Sequence, residues 1–169
     1  MIETKDLVLD KAKFSDWEDM YKNVWSHPES ARYMSWKVIK NEEDAKVRIL
    51  KTIETQKTHD TYLVYEKASG QAIGFAGVFQ MEPSVYGETG ICLGPDYTGK
   101  GYGKQIVEGL MDYCREKLHA KTFVYASRSE NQASIRLALR LGFTQTAAQE
   151  LIDGDTGKTY LKYIYQRTL

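Results

Sequence analysis

The chain has 169 residues, 42% apolar and 27% charged, which fits one globular domain with a substantial core. Its 23 basic and 23 acidic residues cancel, leaving no bulk field to draw in nucleic acid or an anionic membrane. Cys92, Cys114 and three scattered histidines (His27, His59, His119) form neither a C-x-x-C nor an H-x-x-x-H pair, which argues against a disulfide framework or a metal site.

The first six residues lack the apolar stretch of a signal peptide, and no run approaches the ~18 apolar residues of a membrane span, so a cytoplasmic protein is expected. Leu7 and Leu9 mark a first short strand. Phe14, Trp17, Met20, Tyr21, Val24 and Trp25 recur at spacings of three and four, predicting an amphipathic helix over residues 15–25 that His27-Pro28 ends. An aromatic loop with Tyr33, Met34 and Trp36 follows. Asn41 is placed to cap a second helix, with Glu42, Glu43 and Asp44 in its first turn and Ala45, Ile49, Leu50 and Ile53 on its buried face.

Residues 61–66 and 71–80 are β-rich runs joined by Lys67-Ala68-Ser69-Gly70. A third run, 85–93, follows a turn at Pro83, and the three predict an antiparallel meander. A glycine-rich stretch at 94–103 leads into a helix with Ile106, Val107, Leu110, Met111, Cys114 and Leu118 as its apolar stripe. A strand at 121–126 and a helix at 131–141 come next, the helix turning Ile135, Ala138, Leu139 and Leu141 inward and stopping at Gly142. The passage from 85 to 126 is long enough for a crossover, so its two strands can lie parallel. Runs at 147–152 and 159–165 flank Asp153-Gly154-Asp155-Thr156-Gly157 as a terminal hairpin. That turn imitates the start of a calcium loop, but Gly157 occupies a ligand position and Ile164 replaces the closing glutamate. Residues 1–169 read as one mixed α+β domain without linker or repeat.

Gly94, Gly99, Gly101 and Gly103 stand between a strand and a helix. Glycine lets successive N–H groups turn toward one anion, the helix start adds its positive end, and Lys100 and Lys104 add charge. Gly94-Pro95-Asp96-Tyr97-Thr98-Gly99-Lys100 satisfies the G-x-x-x-x-G-K spelling of a P-loop. Gly101, however, stands where a serine or threonine would hold magnesium, and residues 122–126 end without the aspartate of such a site. A G-x-G-x-x-G dinucleotide fingerprint fails as well, because the sixth position is Lys104 or Ile106.

Tyr97-Thr98-Gly99-Lys100-Gly101-Tyr102-Gly103-Lys104 resembles the pyrophosphate-binding loop of the GNAT N-acetyltransferases, [QR]-x-x-G-x-[GA], with Thr98 departing from the usual Gln or Arg. Glu88-Thr89-Gly90-Ile91-Cys92-Leu93-Gly94 resembles the E-x-G-x-W-L segment of the ribosomal-protein-alanine (RimJ/RimL-type) branch, with Cys92 in place of tryptophan. Asn131-x-x-Ser134 with Leu141-Gly142-Phe143 is similar to that branch's N-x-x-S…L-G-F helix. Trp25-x-His27-Pro28 and Tyr33-Met34-x-Trp36 also look like it.

The resemblance implies a three-layer α/β/α fold with a mixed, mostly antiparallel sheet and a central splayed parallel strand pair. It further implies acetyl transfer from acetyl-CoA, without a metal, to an amine in a ternary complex. The acceptor would be a small-molecule amine or a protein N-terminus, and a homodimer would be in keeping with the family. The CoA pyrophosphate would lie on the amides of Thr98, Gly99, Lys100, Gly101, Tyr102, Gly103 and Lys104. The pantetheine arm would pair with Ile91, Cys92 and Leu93, where a backbone N–H would polarise the thioester carbonyl. Glu88 is the candidate base and Ser134 the candidate partner of the departing thiolate, since Ala138 stands where many relatives carry a tyrosine acid. Asn131 is a cofactor or helix-start contact, and Trp25, Tyr33 and Trp36 are candidates for the acceptor cleft or for core packing. The competing reading is a noncatalytic acyl-CoA-binding or sensing module that keeps the loop without the chemistry.

Overall fold

Tyr62, Leu63 and Val64 are consecutive and all buried, which a strand permits only when both its faces are covered. In the computed structural model, which describes Met1–Leu169, Tyr62 and Val64 join one hydrophobic cluster and Leu63 a second on the opposite face. This strand is β3 (Thr61–Glu66) of a nine-stranded sheet. The others are β1 (Ile2–Glu3), β2 (Leu7–Asp10), β4 (Ala72–Glu82), β5 (Val85–Glu88), β6 (Cys92–Leu93), β7 (Thr122–Arg128), β8 (Thr144–Ile152) and β9 (Thr159–Thr168). Their order is β1-β2-β3-β4-β5-β7-β9-β8, with β6 branching from β4. Every pair is antiparallel except β5 with β7, which run parallel as the 85–126 crossover predicted.

Helices cover both faces, giving the expected three layers. On one side α4 (Tyr102–Lys117) buries Ile106, Val107, Leu110, Met111 and Cys114, and α5 (Gln132–Arg140) adds Ala138 to the same cluster. On the other side lie the 3-10 turn Phe14–Asp16, α1 (Trp17–Met20), the π-helical turn Tyr21–Trp25, α2 (Pro28–Ala31) and α3 (Glu42–Gln56). Asn41 caps α3 as predicted, its side chain accepting the Asp44 N–H at 2.8 Å. No helix is long and apolar enough to cross a membrane.

Several expectations are corrected. Residues 15–25 are not one α-helix: the Ser26 N–H reaches back to the Tyr21 carbonyl at 3.2 Å, and this widened turn buries Asn23, Val24 and Trp25 in succession. Leu50 and Leu139 point outward, at 55% and 57% exposure, because the buried stripes of α3 and α5 are narrower than the apolar spelling suggests. The run 85–93 is not continuous but splits into β5 and β6. Gly90, at φ +117°, turns the chain between them, so β6 leaves β5's line and pairs with the earlier half of β4. Gly74 makes that junction possible, since a Cβ there would stand 2.2 Å from the Cys92 carbonyl oxygen.

Candidate active site

The parallel pairing of β5 and β7 ends with Gly87 opposite Val124, and beyond it the strands part. β5 gives way to β6, which follows β4, whereas β7 continues to Arg128 alongside β9. Glu88 stands in the fork. Its carboxylate accepts the Ala126 N–H at 3.2 Å and the Gly90 N–H, so it braces β7 and the turn into β6 at once. Burial pushes its carboxyl above the usual range, opposed by those two amides and by the Lys162 ammonium. Each carboxylate oxygen has a second lone pair and can still accept a proton.

Ser134 lies on the first turn of α5, where the Asn131 side chain caps the helix by accepting the Ser134 N–H at 3.2 Å. The Ser134 Oγ is 2.7 Å from the Tyr125 hydroxyl, which β7 presents from its buried face. Burial raises the Tyr125 hydroxyl to about 12, so it remains protonated at neutral pH. Glu88, Tyr125, Asn131 and Ser134 line one cleft of about 270 Å³, whose walls also include Tyr33, Met34, Tyr160 and Lys162. Arg128 fixes its outer rim: it pairs with Asp153 at 2.9 Å and stacks on the Tyr160 ring at 3.9 Å. Asp153 also accepts the Asp155 and Thr156 N–H groups, which makes its segment a self-capped turn.

The glycine loop runs into α4. Gly99 and Gly101 adopt φ of +74° and +80°, the left-handed region that glycine enters without cost, and a Cβ at either would meet no atom within 4 Å. None of the six backbone N–H groups from Gly99 to Lys104 has a protein acceptor. Such a row of free donors at a helix start fits a diphosphate, because it offers several hydrogen bonds and the positive end of the helix. The lysines add less charge than their spelling suggests: Lys100 faces Glu66 at 3.9 Å and Lys104 faces Glu108 at 3.8 Å. The exposed Thr98 hydroxyl is turned back to the Pro95 carbonyl. β6 is paired on one side only, by β4, which leaves its other edge open at the fork. Of the three residues expected to line this edge, Cys92 and Leu93 form β6 and Ile91 precedes it in the cleft wall.

The aromatic residues separate. Tyr33 borders the cleft with Glu88 and Ser134, whereas Trp25 is 1% exposed and belongs with Trp36 to the cluster under α3. Trp25 is therefore a core side chain rather than part of the cleft around Glu88. Tyr125, Tyr160 and Lys162 join the cleft without having been singled out in the sequence. For Tyr125 a signal existed: the alternation Phe123, Tyr125, Ser127 puts a hydroxyl on the buried face of a strand, where it needs a partner.

The family model described as "Acetyltransferase (GNAT) domain" matches residues 6–144. An uncharacterized N-acetyltransferase p20 of Bacillus licheniformis is 26% identical over 170 residues, covering 98% of this chain and 93% of that protein. Among solved structures, a GNAT-family acetyltransferase from Bacillus anthracis superposes with a TM-score of 0.84 at 18% identity, covering 99% of this chain and 97% of its own. The ribosomal L7/L12 alpha-N-protein acetyltransferase RimL, solved in complex with coenzyme A, gives a TM-score of 0.81 at 20% identity over 98% of this chain and 96% of its own.

Proposed function

Because the chain belongs to the GNAT acetyltransferase family, we propose that residues 1–169 act as one domain that transfers the acetyl group of acetyl-CoA to a primary amine, either a protein N-terminus or a small molecule. The observation that carries this reading is the single cleft at the strand fork, which holds both Glu88 and the Ser134–Tyr125 pair. A sensing module would need the loop but not this cleft. RimL, a relative by fold, acetylates a protein N-terminus by its name and was solved with coenzyme A, which supports both the donor and the class of acceptor.

The free amides of Gly99 to Lys104 hold the diphosphate of the donor. The open edge of β6 receives the pantetheine arm as an added strand, and an N–H there stabilises the oxyanion. Glu88 takes a proton from the acceptor ammonium, directly or through one water. The free amine forms a bond to the thioester carbon, and the carbon–sulfur bond then breaks. Ser134 supplies a proton to the departing sulfur and is reprotonated by Tyr125, whose hydroxyl is 2.7 Å away; the second proton that the nitrogen loses as the amide forms returns to Tyr125 through water, and Glu88 gives its proton up to solvent. Tyr33 and Met34 border the entrance by which the amine arrives. Much of the acceleration comes from holding amine and thioester in contact.

Thiol release from acetyl-CoA over a panel of peptide N-termini, polyamines and amino acids tests the proposal. Turnover on at least one amine is expected. Acetyl-CoA binding with no turnover on any of them would instead establish a sensor.

A further inference from the structure

A second cleft, of about 400 Å³, opens between α3 and strands β3 and β4. Arg48 of α3 lies in it. The guanidinium carbon is 4.8 Å from the ring centroid of Trp25 and 4.7 Å from that of Trp36. These contacts hold the side chain in place but provide no hydrogen-bond acceptor. The guanidinium makes no hydrogen bond and no ion pair; burial lowers its pKa and the nearby Cys92 opposes that. The indole N–H groups of Trp25 and Trp36 are also buried and without partners. The cleft wall adds Lys51 and contains no aspartate or glutamate.

Unpaired buried donors are costly, and here a half-buried guanidinium without a hydrogen-bond partner stacks on two tryptophans whose own indole N–H groups are unpartnered. An arginine presents five N–H groups in a planar fork that matches a carboxylate. The position also bears on the chemistry. Thr89 lines both this cleft and the one that holds Glu88 and Ser134, and Cys92, the neighbour of Arg48, belongs to β6 at the fork.

We propose that Arg48, with the indole N–H groups of Trp25 and Trp36, forms a carboxylate-binding subsite for one of the two substrates of acyl transfer. The transferase reading supplies only the identity of the molecule that carries the carboxylate. That molecule is either an acceptor with an acidic group near its amine or a donor whose acyl chain ends in a second carboxylate.

Binding is tested without turnover by titrating succinate and its neutral counterpart succinamide into the intact protein and following tryptophan fluorescence. Two of the three tryptophans lie at the site. Succinate is expected to give a saturable change and succinamide none. Arg48→Met should weaken the succinate response by about tenfold or more, the loss expected for one charged hydrogen-bonding partner. Equal responses to the two probes overturn the subsite, and so does an Arg48→Met protein that melts normally and titrates like the wild type. If Arg48→Met fails to fold, Arg48→Gln provides the same comparison.

Kinetics then identify the carrier. Peptide acceptors with aspartate or asparagine beside the amine are compared using acetyl-CoA, and succinyl-CoA is compared with acetyl-CoA using a neutral amine. A preference of about tenfold that disappears with Arg48 assigns the carboxylate to the acceptor in the first arm and to the donor in the second. An active enzyme with no such preference in either arm overturns the subsite while leaving the transferase intact. A protein that binds succinate through Arg48 but acylates nothing overturns the transferase and leaves the subsite.

Discussion

The Ala126 N–H donates to the Glu88 carboxylate at 3.2 Å, just past the point where Gly87 and Val124 make the last backbone pair between β5 and β7. A side chain takes over where a main-chain ladder stops. Because the same carboxylate accepts the Gly90 N–H, the group proposed as base also holds the fork open at a fixed width. This double duty means that removing Glu88 should affect both chemistry and structure, and the two can be separated.

Glu88→Gln retains an oxygen for one amide while losing the ability to take a proton. We expect kcat to fall by about a hundredfold, with acetyl-CoA affinity changed little. The pH dependence provides the sharper measurement. Burial raises the Glu88 pKa, so wild-type kcat/KM should decline as pH falls through a value above the ordinary 4.5, and this acid limb should vanish in the variant. A raised folded-state pKa also means that the stabilisation from protonating Glu88 is present at low pH and lost as pH rises through that value. Glu88→Gln should therefore gain stability relative to wild type across the same interval, as melting curves at several pH values would show.

Tyr125 and Ser134 are expected to act as a unit. Ser134→Ala and Tyr125→Phe should each lower kcat by about tenfold or more, and the double variant should be little worse than the slower single one. Acetyl-CoA affinity measured by calorimetry should not follow these losses. Full activity in both single variants would remove the pair from the proton path.

Gly101→Val tests the amide cradle. A Cβ at Gly101 meets no atom within 4 Å, so the free protein has room for it, but a φ of +80° costs a side-chain-bearing residue about 1–2 kcal/mol. The added methyl groups would also stand over amides that have no protein partner. Acetyl-CoA binding should weaken by at least about tenfold, a larger effect than any loss of melting temperature; unchanged affinity would refute the loop's assignment.

Two leucines read alike in the sequence should part in a denaturation experiment. Leu110 is fully buried under the sheet, and Leu110→Ala should cost about 2–5 kcal/mol. Leu139 is 57% exposed, and Leu139→Ala should change stability by no more than about 0.5 kcal/mol.

Much of this protein is specified by local chemistry. Asn41 followed by three acidic residues caps α3, Asn131 caps α5, and Gly99 and Gly101 enter the left-handed region, all through interactions that reach no further than a few residues. The free amides of the loop belong to this class, because a helix start leaves its N–H groups unpaired whatever surrounds it. For the same reason the anion cradle and the succession of elements could be read from the chain alone.

Contacts made across the sheet had no such local signature. The division of residues 85–93 depends on β4 offering separate partners to Glu88 and to Cys92, two pairings that sequence spacing does not distinguish. Tyr125 meets Ser134 only because α5 packs against β7, and Arg48 lies beside Trp25 and Trp36 only because α3 folds over the π-helical turn and the aromatic loop. Periodicity states which side of an element is apolar but not what another element brings to it. Thus the sequence determined the family, the cradle and the candidates Glu88 and Ser134. Tertiary packing, through burial and long-range pairing, decided which of them share a cleft and left Arg48 without a carboxylate to answer it.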